Sequence, residues 1–121
     1  MTGKRLLIMD DEPDFCEFVA DVGEDLGYQV TKVTDPRQFK GNYRDVDPDT
    51  IVIDMVMPEL DGFDLVRWLV EQKSHAKLLL VTGHNPQYAK SAQIQSAAKG
   101  ISKVKTFTKP VSVSKLRAAL S

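Results

Sequence analysis

Four short stretches of this sequence carry side chains that could work together on a phosphoryl group. Asp10, Asp11 and Glu12 follow the apolar run Leu6-Leu7-Ile8-Met9. Asp54 follows Ile51-Val52-Ile53. Thr82 and Gly83 follow Leu78-Leu79-Leu80-Val81, and Lys109 and Pro110 follow the stretch Val104 to Thr108. One aspartate after a strand is an ordinary helix cap. Four strand ends furnished with carboxylates, a hydroxyl and an ammonium are harder to explain as caps. Crowding three carboxylates into one crevice costs repulsion and raises the pKa of at least one of them. A divalent cation removes that cost, and an all-oxygen site suits Mg2+. Aspartate is also a known nucleophile for acyl phosphate formation. Phosphoryl transfer needs chiefly positioning and charge neutralisation, so metal, lysine and hydroxyl are suitable parts.

For these groups to meet, the chain must set its strand ends side by side. The three apolar runs do not alternate with polar residues, as expected of strands buried on both faces in a parallel sheet. Gln29 to Val33 and Val104 to Thr108 alternate more and read as edge strands. Between the strands lie helix patterns. Phe15, Phe18, Val19, Val22 and Leu26 form one apolar stripe, with Pro13 in the first turn and Gly27 at the stop. Asp35-Pro36 opens a short, poor second helix that Gly41-Asn42 is expected to break. Phe63, Val66, Leu69 and Val70 mark a third helix, and Tyr88 to Ala98 a thin, alanine-based one. Val113, Leu116 and Leu120 mark the last, capped by Ser112 or Ser114. Strand and helix thus alternate five times. That predicts a three-layer α/β/α doubly wound parallel sheet with right-handed crossovers, and a ligand crevice at the carboxyl ends of the strands.

The bulk numbers agree with one globular domain over residues 1–121. Hydrophobic residues are 42% and charged residues 27% of the chain, and the formal net charge is −1. Nothing in that total points to direct nucleic-acid binding or to a membrane. The single Cys16 excludes an internal disulfide and a thiolate zinc site, and reads as a packed thiol. No apolar run approaches membrane-spanning length, so a cytoplasmic location is expected. There is no repeat and no low-complexity tract.

Four segments resemble the receiver domain of two-component response regulators: Met9-Asp10-Asp11-Glu12-Pro13, the stretch from Asp54-Met55-Val56-Met57-Pro58 to Glu59-Leu60-Asp61-Gly62, Val81-Thr82-Gly83, and Thr108-Lys109-Pro110. Order and spacing match along nearly the whole chain. The resemblance implies a flavodoxin-like sheet with strand order 2-1-3-4-5, and a switch phosphorylated on Asp54 by a histidine kinase or histidine phosphotransfer protein. It implies a metal, Mg2+ or Mn2+, held by Asp11 and Asp54 directly, by Asp10 largely through water, and by the backbone carbonyl of Val56. Thr82 and Lys109 would bind the phosphoryl oxygens, and Gly83 would leave room for them. Pro58 and Gly62 would shape the loop, with Gly62 opening the third helix. The Lys109–Pro110 bond would be cis. Such a domain catalyses only its own phosphorylation and dephosphorylation. Its expected partners are the phosphodonor and a downstream target or fused output domain.

The sequence departs from that family at its readout positions. An aromatic residue is usual three places before the lysine; here Thr106 stands there, and Phe107 comes one place later. One step along a strand reverses the face, so Phe107 is expected in the core. Gly100 lies farther from Lys109 than is usual, and Val111 replaces a common aromatic. Chemistry is therefore expected to be intact and signal transmission to be non-standard. Val56 offers no polar group to orient water, which predicts a phosphoryl state outlasting seconds. His84 reads as a solvated loop histidine, and Lys99, Lys103 and Lys105 read as a solvated basic face ahead of the alternative, an acidic docking site. Glu12 either shapes the acidic site or caps the first helix. The competing function is a receiver-shaped interaction module that needs no phosphate. An aspartate-nucleophile phosphatase fits poorly, because its second acid lies two residues after the first. A flavin protein fits worse, lacking a phosphate-cradling loop.

Overall fold

A computed structural model describes residues 4–55, 57, 62–83, 99–101 and 103–121. Five parallel strands form one sheet: β1 (Arg5–Met9), β2 (Gln29–Val33), β3 (Thr50–Asp54), β4 (Lys77–Thr82) and β5 (Val104–Thr108). Their spatial order is β2-β1-β3-β4-β5, as expected. Every adjacent pair is parallel. β1, β3 and β4 lie inside the sheet, so both faces of each are covered, which is why these runs are continuously apolar. β2 and β5 form the edges and are only partly buried. Two of the chemistry-bearing residues stand one place earlier than the runs suggested. Asp54 is the last residue of β3 and Thr82 the last of β4, inside the hydrogen-bonded ladders.

Strand parity sorts the core into two layers. Leu7, Met9, Ile51, Ile53, Leu78 and Leu80 face α2 (Phe39–Val46) and α3 (Gly62–Glu71). Leu6, Ile8, Val52, Leu79 and Val81 face α1 (Pro13–Asp25) and α4 (Val113–Leu120). α1 begins on Pro13, and Gly27 at φ 93° turns the chain after its end, as Gly can. α4 is capped by the Ser112 hydroxyl, which accepts from the Lys115 N–H at 3.2 Å.

The second helix corrects the sequence reading. Gly41-Asn42 does not break it: α2 runs unbroken through both residues, behind a short 3-10 turn at Pro36–Gln38. Tertiary packing outweighs the weak local propensity. Phe39 is fully buried, and the rings of Phe39, Tyr43 and Trp68 pack against one another with centroids 5.3–6.4 Å apart. The Asn42 amide also donates to the Gln38 carbonyl at 2.8 Å. Trp68 therefore packs onto α2. The helix expected over Tyr88 to Ala98 lies outside the described residues, as do Val56, Pro58, Glu59, Asp61 and His84.

Candidate functional site

The carboxyl ends of β1, β3, β4 and β5 form the site. Asp10, directly after β1, is fully buried although it is a carboxylate. One of its oxygens accepts the Glu12 N–H at 2.8 Å, and the other accepts from Lys109 Nζ at 3.0 Å. Its main chain is fixed as well, since the Asp10 N–H donates to the Val33 carbonyl. Asp54 is 4% exposed, with a carboxylate oxygen 3.9 Å from Lys109 Nζ. Glu12 is the third acid. It occupies the N-cap position of α1, yet its side chain makes no cap hydrogen bond. It turns instead to Lys109, which donates to it. One carboxylate oxygen from each of Asp10, Glu12 and Asp54 lies within 4.8 Å of the other two.

Lys109 thus stands as one ammonium amid three carboxylates. The β5 end is fixed by the Lys109 N–H, which donates to the Thr82 carbonyl at 3.0 Å, and the Lys109–Pro110 peptide is cis, as expected. On its far side, Nζ lies 4.3 Å from the centroid of the Phe15 ring, a cation–π contact. Burial and charge set the electrostatics of the group. Burial pushes the Asp10 carboxyl above the ordinary carboxylate range, against the opposing pull of the Glu12 N–H and Lys109. Lys109 is half-buried, which acts to lower its pKa, but its bonds to Glu12 and Asp10 and the charges of Asp10 and Asp54 leave it raised. Glu12, largely in solvent, is held below its ordinary value by Lys109. Lys109 is therefore firmly charged, and Asp10 carries the cost of its burial.

Thr82 is fully buried. Its hydroxyl lies 3.4 Å from two carbonyls, those of Gly83 and Phe107. Phe107 packs against the layer beneath α1 and α4, with Phe15, Phe18 and Val111, whereas Thr106 is exposed. The inward Phe107 expected from the one-step offset is what the strand presents. Gly62 starts α3 hard against β3: a Cβ there would lie 2.5 Å from the Met55 Cα, so no other residue fits without moving main chain. Cys16 is buried, and its thiol donates to the Asp10 carbonyl at 3.3 Å. Burial first, and then the Asp10 charge, push that thiol up to about 11, so it stays protonated and inert.

The structure brings Asp10, Asp54, Thr82 and Lys109 to one end of the sheet, as the sequence predicts. Asp11 is half-exposed and does not belong to the three-carboxylate group, in which Glu12 takes a place instead. The roles of Glu12 and Phe15 were the least legible. A glutamate beside a proline at a helix start looks like a cap, and Phe15 looks like one more residue of the α1 stripe. Only the position of Lys109, far along the chain, distinguishes them.

A family model of the response regulator receiver domain matches residues 6–121. The chain belongs to the response regulator receiver domain family. It is 29% identical over 98 residues to the chemotaxis protein CheY of Thermotoga maritima, a match covering 80% of this chain and 82% of that one. It is 27% identical over 120 residues to the transcriptional regulatory protein TcrA of Mycobacterium tuberculosis, covering 99% of this chain but 46% of the relative. The chain therefore spans less than half the length of that regulator. Among solved structures, a response regulator from Colwellia psychrerythraea superposes with a TM-score of 0.79 at 29% identity, covering 98% of this chain and 94% of the other. Among the described residues no helix is long and apolar enough to cross a membrane.

Proposed function

We propose that this domain is a phosphoacceptor switch that takes a phosphoryl group on Asp54 from a histidine kinase or histidine phosphotransfer protein. The convergence of Asp10, Glu12 and Asp54 on one half-buried ammonium carries the reading. Membership of the receiver family supports it. Asp54 supplies the attacking carboxylate oxygen. Lys109, already oriented and charged, pairs with the oxygens of the incoming group, and Thr82 turns its hydroxyl from its two long carbonyl contacts to donate to them.

The donor set fits a hard divalent cation: three carboxylates in reach of one another, one of them buried and pushed up in pKa by its surroundings. Mg2+ or Mn2+ would be held by Asp10 and Asp54, with Glu12 beside them and, by family resemblance, Asp11 and the Val56 carbonyl. Bound there, the ion supplies charge neutralisation for the phosphoryl group. Lys109, which reaches Asp10, Glu12 and Asp54, would supply the second positive charge there.

The readout differs from the family pattern. With Thr106 outside and Phe107 inside, a displacement of Thr82 acts on the Phe107 carbonyl and on the layer beneath α1 and α4. The test is incubation with Mg2+ and acetyl phosphate, with intact mass as the readout. The expected result is a single phosphoryl adduct on the wild type and none on Asp54→Asn. An unchanged adduct on Asp54→Asn, or no adduct on the wild type, sinks the proposal. In the second case the phosphate-independent interaction module takes its place. Tracking the adduct over time measures its lifetime.

A further inference from the structure

The charges of this chain are divided along its length. All 17 acidic residues lie within residues 1–71, together with 7 of the 16 cations; residues 72–121 carry 9 cations and no acid. The net charge of −1 conceals this division. The fold gathers part of the basic half at the amino end of the sheet, opposite the carboxylate pocket. Lys77 opens β4, Lys103 precedes β5, and Lys105 lies on β5. Lys4, just before β1, joins them. These positions share the strand parity that faces α1 and α4. Main-chain bonds hold three of them in place: Gln29 N–H to the Lys4 carbonyl, Leu78 N–H to the Lys103 carbonyl, and Lys77 N–H to the Asp49 carbonyl. Lys77 is half-buried, and burial together with the charges of Lys105, Lys103 and Lys4 lowers its pKa. None of the four lysines belongs to an ion pair among the described residues.

We propose that this amino-end platform of Lys4, Lys77, Lys103 and Lys105 is a docking surface for a short acidic segment of another protein. Edge protection explains Lys105, because lysines deter strand addition, but not Lys4 and Lys77, which flank interior strands. The chemistry selects among anionic partners. Nucleic-acid surfaces favour arginine forks and exposed aromatic rings. Here the four cations are all lysine, and the nearby Tyr28 ring is buried with its hydroxyl donating to the Leu120 carbonyl at 2.6 Å. A membrane surface would gain from apolar residues among the lysines. The one large exposed apolar side chain among the described residues is Val113, at the other end of α4. Size also discriminates. The strands separate the two ends by roughly 17 Å, about two screening lengths at physiological salt. Asp47 and Asp49 also lie at this end, engaged by Arg5; a short carboxylate-rich segment meets the lysines beside them, whereas a long polyanion would run on toward the carboxylate pocket.

The platform stands apart from the acidic pocket, and the two are tested separately. Fluorescence anisotropy of a labelled octaglutamate peptide would be measured with the whole chain at about 20 mM and about 150 mM salt. A thymidine oligonucleotide and phosphatidylserine vesicles would be measured in parallel, and sedimentation velocity would report self-association. The peptide is expected to bind, more weakly at the higher salt. Lys77→Glu/Lys103→Glu/Lys105→Glu is expected to weaken it about tenfold or more. Because Lys77 is half-buried, Lys103→Glu/Lys105→Glu provides a second variant at exposed positions, expected to weaken binding severalfold. Acetyl phosphate labelling should be unaffected in both. No peptide binding at low salt, or binding untouched by both variants, overturns the proposal. So does an oligonucleotide or vesicle that binds as tightly as the peptide, or self-association that the variants abolish.

Discussion

The two ends of this sheet each gather like charges, and they do so with very different consequences for stability. At the carboxyl end, three acids converge and two of them, Asp10 and Asp54, are withdrawn from water. At the amino end, lysines project largely into solvent. Like charges in solvent are screened and repel weakly, whereas like charges in a crevice subtract from folding stability. The contrast separates two kinds of feature. A buried crowd costs stability, which Lys109 offsets in part here. An exposed one can serve as a surface with almost no loss of stability.

The comparison breaks most visibly at Lys109. Lys109→Ala would leave Asp10 buried with the Glu12 N–H as its remaining donor. Loss of the ammonium should cut acetyl phosphate labelling by about 10²–10³-fold and destabilise the fold by about 1–3 kcal/mol near neutral pH. Rate of adduct formation and chemical denaturation measure the two effects. No single lysine at the amino end should approach either.

Asp10→Asn sharpens the contrast in the opposite direction. Asp10 has a raised pKa in the fold, so its ionised form opposes folding. The sign is that of a carboxylate shifted upward. The penalty is absent below the ordinary carboxylate range, appears as pH rises toward the folded pKa, and persists at neutral pH. Asparagine keeps an oxygen for the Glu12 N–H and removes the charge. The variant should be more stable near neutral pH, with a flatter dependence on pH. It should also bind Mg2+ worse. Thermal melts from about pH 4 to pH 8 test the idea, and equal melting of variant and wild type throughout would refute it.

A smaller effect is expected from Phe15→Leu. Removing the ring beneath Lys109 gives up a cation–π contact of about 0.5–1 kcal/mol. Labelling should slow by about twofold to fivefold, with a tyrosine at the same position restoring it. Labelling of the leucine variant at the wild-type rate would mean the ring contributes only bulk.

Much of this architecture could be read in advance because burial writes itself into composition. Continuous runs such as Leu78 to Val81, alternating with helix patterns, read as interior parallel strands, and the residues just past each run then fall at one end of the sheet. That reasoning located Asp10, Asp54, Thr82 and Lys109. It failed where a residue's role depends on a distant neighbour. Gly41 looks like a helix breaker until Phe39, Tyr43 and Trp68 are seen to pack together. Glu12 stays divided between shaping the site and capping α1 until Lys109 arrives from β5. The division of charge at residue 71 is plain in the sequence, yet a net charge of −1 averages it away. The amino-end platform needs the sheet order before its lysines become neighbours.

Thr82 bears on how a signal would leave the site. Its hydroxyl spans 3.4 Å to each of two carbonyls, at the outer limit of bonding, in a position shut off from water. A latch this loosely seated is easily lifted. When it lifts, it lets go of main chain in the neighbouring strand and not of a pivoting side chain. News of an event at Asp54 would then travel as slack in β5, a message written in the backbone.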